Sequence, residues 1–193
     1  MTERFLKAKH WQIFLLICGL PLITEIVTMP LLFGGNSMAS ISIMMLIVLV
    51  CLGGFLGWFW SIGTGLQHLI PENVRLKAGK FRFFLIYALV YMLLFSCFII
   101  YTFASIHLIS ENQDVYSGMI FLIIPLHFLA MFAMFYCLYF VAKTYKTVEL
   151  QRTVTFSDYA GEFFLFWFFP VGIWVIQPKI NAMISPLEGE NQQ

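Results

Sequence analysis

Residues 41–63 read ISIMMLIVLVCLGGFLGWFWSIG, running from Ile41 to Gly63 without one Asp, Glu, Lys, Arg or His. A helix needs roughly 20 apolar residues to cross a hydrocarbon core of about 30 Å, so this stretch is long enough to span a bilayer. The rest of the chain agrees. Its 193 residues are 61% hydrophobic and 11% charged, against roughly 25% charged in an ordinary soluble domain.

Working outward, three further runs reach spanning length: Trp11–Phe33, Phe83–Ile109 and Met119–Ala142. The loop before Ile41, Gly34–Ser40, has no Lys or Arg, and the loop Ser110–Gly118 carries only Glu111 and Asp114. All 11 basic residues fall elsewhere: Arg4, Lys7 and Lys9 at the start, Arg75, Lys77, Lys80 and Arg82 in the middle loop, and Lys143, Lys146, Arg152 and Lys179 after the fourth run. Positive loops stay cytoplasmic, so both termini are expected on that side of the membrane. Trp11, Trp58 and Trp60 lie at the same ends, where indole rings favour the interface. The first run is too long for a signal peptide and lacks a small-residue cleavage site, so it is expected to remain as a span.

The tail is harder to place. Phe163–Ile176 is apolar but short and contains Pro170 and Gly172, which suits a re-entrant or interfacial hairpin better than a fifth span that would carry Lys179 outward. Pro170 is expected to make the break. Lys143–Phe156 reads as an amphipathic linker on the membrane, and Ser157 and Asp158 as a helix N-cap. The expected fold is thus all-α: residues 1–142 form an integral membrane bundle of four transmembrane helices, and residues 143–193 form the linker, the helical hairpin and a polar tail.

Gly53, Gly57, Ser61 and Gly65 recur at every fourth position, a small-residue stripe that lets another backbone approach closely, within the monomer or across a dimer seam. Glu25 is the polar residue hardest to accommodate. A carboxylate in a span must be protonated, paired or wet. His127 lies equally far from the outer end of its own run, about 12 Å deep at 1.5 Å per residue, so a Glu25–His127 contact is expected, with Tyr91, Tyr101 and Ser96 able to extend it. Pro21 and Pro30 flank Glu25 and loosen its helix.

Other chemistries find little support. The four cysteines, Cys18, Cys51, Cys97 and Cys137, are spread one per run and suggest neither a disulfide framework nor a metal site. His107 and His127 differ too much in depth for a haem pair. No nucleotide, zinc-protease or magnesium motif occurs, no cofactor is implied, and the few basic residues leave no nucleic-acid footprint.

Three stretches resemble a family of small multispan membrane proteins of bacteria to which no activity is attached. They are His10-Trp11-Gln12-Ile13-Phe14-Leu15-Leu16; Gly57-Trp58-Phe59-Trp60-Ser61 with Ile70-Pro71-Glu72-Asn73-Val74; and Phe156-Ser157-Asp158-Tyr159-Ala160-Gly161-Glu162 through Trp167-Phe168-Phe169-Pro170 to Gln177-Pro178-Lys179-Ile180-Asn181. The resemblance implies an inner-membrane location and brings no catalytic residues. It draws attention to Asp158, Glu162, Trp167, Trp174, Gln177 and Lys179 as a cytoplasmic interface for a partner or lipid headgroup. The basic middle loop should attract anionic headgroups at about 1 kcal/mol per basic residue. Three functions fit: a non-enzymatic accessory subunit that binds another membrane protein, a small oligomeric transporter or channel using Glu25, and a lipid-modifying enzyme using Asp158 or Glu162.

Overall fold

The computed structural model describes the backbone of residues 2–34, 37–104 and 113–190, with side chains throughout except at 31, 32, 37–39, 103, 104, 113–117 and 186–190. Residues 105–109 of the third apolar run, and Glu111, lie outside the described residues. Four helices are long and apolar enough to cross a membrane: His10–Pro30, Ser40–Leu69, Ala78–Thr102 and Gly118–Leu150. The described residues contain helices and no strand.

In chain order the helices are α1 (Thr2–Lys7), α2 (His10–Phe14), α3 (Leu20–Phe33), α4 (Ser37–Gly65), α5 (Ala78–Ala104), α6 (Gln113–Leu150), α7 (Phe156–Trp167) and α8 (Phe169–Glu190). A π-helical turn, Leu15–Gly19, joins α2 to α3 within the first span. Pro21 explains it, because proline has no N–H and its ring presses on the carbonyl four residues back, a mismatch that a wider turn absorbs. Thr24 and Thr28 Oγ1 donate to the Leu20 and Thr24 carbonyls at 2.8 and 2.9 Å, keeping these hydroxyls satisfied inside the helix.

The core is gathered at the end where the basic residues lie. Trp58, Phe59 and Ile62 of α4 and Leu66 just beyond it meet Phe81 of α5, Tyr145 of α6, Phe166 of α7 and Ile173, Ile176 and Ile180 of α8, all fully buried. Phe81 stacks on Phe140 with centroids 4.7 Å apart, and Phe166 stands edge-on to Phe59 at 5.8 Å. At the opposite end, Leu22, Ile23, Ile26, Val27 and Phe33 of α3 and Phe121, Leu122 and Phe128 of α6 are exposed.

Several expectations need correction. Lys143–Phe156 is not a surface linker: α6 continues to Leu150, and Thr144, Tyr145, Thr147 and Val148 are buried. The apolar positions Val141, Tyr145 and Val148 keep helical spacing with the core stripe before them, so a boundary at residue 142 falls inside one continuous helix. The helix ends where Gln151 adopts a left-handed φ of 51° and its amide donates to the Val148 and Leu69 carbonyls. Such a residue commonly closes a helix. Trp58 is no interfacial anchor, since a buried indole needs only a hydrogen-bond partner and finds one in Gln177.

The N-cap of α7 is Thr155, with Asp158 at the third helical position; the Asp158 carboxylate accepts from the Thr155 backbone N–H at 2.8 Å. The break between α7 and α8 falls at Phe168. Pro170 instead occupies the first turn of α8, where a missing N–H costs nothing. Gly172 is the demanding position, because a Cβ there would drive into the Leu165 carbonyl.

From Thr155, α7 passes along α6, with Tyr159 beside Tyr139 at 5.7 Å and Trp167 beside Phe135 at 4.6 Å. After the turn, Phe169 lies 5.1 Å from Phe55 and Trp174 lies 4.6 Å from His10. Lys179 then reaches Glu149 at 3.2 Å, so α8 returns to the level at which α6 ends.

Candidate functional site

Tyrosines one helical turn apart on α5 both reach α6. Tyr87 Oη donates to the Leu126 carbonyl at 3.1 Å, and Tyr91 Oη lies 2.8 Å from His127 Nδ1. Tyr91 is buried and has no other hydrogen-bond partner among the described residues. Its hydroxyl hydrogen therefore goes to Nδ1, since the reverse arrangement would leave a buried O–H without an acceptor. That choice fixes the imidazole with its proton on Nε2, and no acceptor for Nε2 is found among the described residues.

His127 lines an open cleft of about 310 Å³ between residues of α4 to α8. The other walls include Phe55, Met92, Met134, Phe135 and Trp167. Every one is apolar or aromatic, so His127 is the polar point of the cavity. Sequence reading noticed Tyr91 only as an accessory and missed the cleft, because its walls come from five helices and methionines carry no chemical signature of their own.

The expected Glu25–His127 contact does not form. Glu25 is exposed on α3 and has no hydrogen bond or ion pair among the described residues. The depth estimate fails on contacts: His127 shares a cleft with Phe55 of α4, the neighbouring Gly54 abuts Ile17, and the eight residues from Ile17 to Glu25 carry the carboxylate about 12 Å further along. Ser96 donates to the Met92 carbonyl within its own helix at 2.8 Å, and Tyr101 is exposed.

The small-residue stripe is used inside the chain. The Phe5 ring lies 3.1 Å from where a Cβ on Gly57 would sit, Leu6 and Thr2 crowd Gly65 in the same way, and Gly53 meets nothing within 4 Å. Ser61 Oγ donates to the Gly57 carbonyl. The occupant is thus the short helix α1, at the end where Gly57, Ser61 and Gly65 lie.

The six expected interface residues do not form one surface. Gln177 is fully buried. Its carbonyl oxygen accepts from Trp58 Nε1 at 2.9 Å, while its amide donates to the Phe5, Leu6 and Ala8 carbonyls at 3.0, 3.1 and 2.9 Å. Asn181 adds a 3.2 Å bond to the Ala8 carbonyl. This side chain closes the end of α1, whose last carbonyls have no partner within the helix.

Glu162 pairs with Lys146 at 2.7 Å, and Glu149 takes both Lys146 and Lys179. Asp158 pairs with Arg152 at 2.8 Å. The Arg152 guanidinium, with the Thr155 N–H and hydroxyl, holds the Asp158 carboxyl down to about 2. Both carboxylates offered for catalysis are thus engaged by cations. Trp167 stands on the cleft and Trp174 against His10. Among the described residues no group of three His, Cys, Asp or Glu could hold a metal ion.

No protein-family model, no curated protein and no solved structure matches the chain. The fold and the site therefore rest on the residues themselves.

Proposed function

We propose that the chain is a non-enzymatic accessory subunit of a bacterial inner membrane that binds another membrane protein through the outer half of its first span. The observation that carries this reading is Glu25, an exposed carboxyl with no partner among the described residues, on a helix face otherwise built of Leu22, Ile26 and Met29. An acidic side chain at such a position costs several kcal/mol in lipid unless something meets it. The partner it fits presents a basic or hydrogen-bonding side chain from a helix at the same depth. Both termini are cytoplasmic in this reading, supported by the positive-inside distribution of all 11 basic residues. The α7–α8 pair enters and leaves from that side as a re-entrant elbow, supported by Trp167 lying beside Phe135, about 12 Å along α6 from Lys143.

A transport path through one copy gains no support, since Glu25 faces away from the bundle. Purification from native membranes in mild detergent, with a native mass for the particle, tests the subunit reading. A stoichiometric partner lost on Glu25→Leu is the expected result. A homogeneous particle containing this chain alone, unchanged by Glu25→Leu, would overturn it.

A further inference from the structure

The polar pair at the cleft lies far from either end of its helices. Tyr91 is the middle residue of α5, Ala78–Ala104, so about 20 Å of helix separates it from each end. Its partner His127 lines a cavity whose other walls are thioether, aliphatic and aromatic, and its Nε2–H has no acceptor among the described residues. Lipid tails offer this donor nothing, and the ester carbonyls of glycerolipids are held at the membrane surface by their headgroups. A donor left bare in an apolar setting is costly. The occupant that satisfies it must be uncharged, because no counter-charge lines the cleft. It must also carry an acceptor oxygen that can sit deep in hydrocarbon. Phe55, Phe135, Trp167 and Phe169 supply faces for a flat ring, and Met131 and Met134 adapt to its edge. A volume of about 310 Å³ suits a substituted ring and the first carbons of a chain, at the small end of ligand sites.

From this geometry we infer that the cleft between α5, α6 and the α7–α8 elbow is a binding site for a membrane-dissolved carbonyl-bearing ring of the quinone class. One ring carbonyl accepts from His127 Nε2, and Tyr91 holds the imidazole in that tautomer. The site is independent of Glu25, which lies on the exposed face of another helix, so either assignment can fail without the other.

The test uses the full chain in lipid nanodiscs, titrated with a decyl-substituted benzoquinone while tryptophan emission is followed. Decylbenzene, which lacks the carbonyls, is run by competition against the quinone. The quinone is expected to bind saturably and at least tenfold tighter than decylbenzene. Trp167→Phe should remove most of the saturable quenching. His127→Leu and Tyr91→Phe should each weaken binding roughly tenfold, the size of one hydrogen bond, and Met134→Trp should abolish it by filling the cleft while leaving the polar pair intact. Equal binding of the two compounds, or quinone affinity unchanged in both His127→Leu and Met134→Trp, would overturn the assignment.

Discussion

The two ends of the bundle are held by different means. At the basic end, α1, α4, α6, α7 and α8 enclose Trp58, Tyr145, Phe166 and Gln177 completely, and Trp58–Gln177, Lys146–Glu162 and Lys179–Glu149 join polar groups across helices. At the far end, α3 and the far halves of α4 to α6 expose Leu22, Ile26, Leu46, Leu94 and Phe121, and Glu25 has no partner among the described residues. In lipid, an apolar side chain gains little by leaving the tails for another helix, so cohesion depends on close approach and on hydrogen bonds. The basic end has both: glycines that admit α1 and Phe81, and an amide that binds three carbonyls. In the far half α3 still packs on α4, with Thr28 and Ser40 buried, but its outward side chains stay exposed, a surface prepared for something else.

That contrast can be broken most severely at Gly172. Replacing it with Ala should push the α7–α8 turn off the Leu165 carbonyl at a cost of about 3 kcal/mol, seen as a fall of roughly 6–12 °C in the Tm of the purified protein. An unchanged Tm would mean that the elbow is not packed as described. Next, Gln177→Leu leaves the Trp58 N–H and the end of α1 without partners, at about 2–3 kcal/mol. The expected signature is local: protease and hydrogen-exchange protection of Thr2–Lys7 drops before the rest of the bundle unfolds.

Glu25→Leu sharpens the comparison, because the same polar-to-apolar change at the far end should leave the isolated chain as stable or raise its Tm slightly, by relief of a carboxyl in lipid. Loss of stability there would show that Glu25 is structural. The smallest effect concerns pH. Asp158 is lowered from its ordinary 3.8 to about 2 in the folded chain, so its contribution is complete above 3.8 and is lost as pH falls through about 2. Thermal midpoints of wild type and Asp158→Asn, measured from pH 7 to 2, should differ at neutral pH and converge toward the acid end.

The four spans were legible because each is a long uncharged run with basic residues at alternate ends. What escaped was set by tertiary packing. Lys143 and Lys146 made the end of α6 look like surface, but their charges are met by Tyr139, Glu149 and Glu162, while Thr144, Tyr145 and Thr147 turn inward. Pro170 and Gly172 marked the neighbourhood of the α7–α8 turn, yet the break sits at Phe168 because proline suits a first turn as well as a stop. Gln177 was singled out for the wrong reason: nothing local tells a buried amide from an interfacial one. Pairing Glu25 with His127 failed because equal counting from loop ends ignores how neighbouring helices are offset and which face they present.

The hydrogen bond from Gln177 to the Phe5 carbonyl joins residues 172 positions apart, and this imposes an order on the protein's birth. At about 5–20 residues per second of synthesis, roughly ten to thirty seconds pass between the emergence of α1 and that of its partner. The end of α1 is therefore closed long after α1 itself is made. All four spans leave the ribosome before α8 arrives, so this contact forms only on a bundle already synthesised.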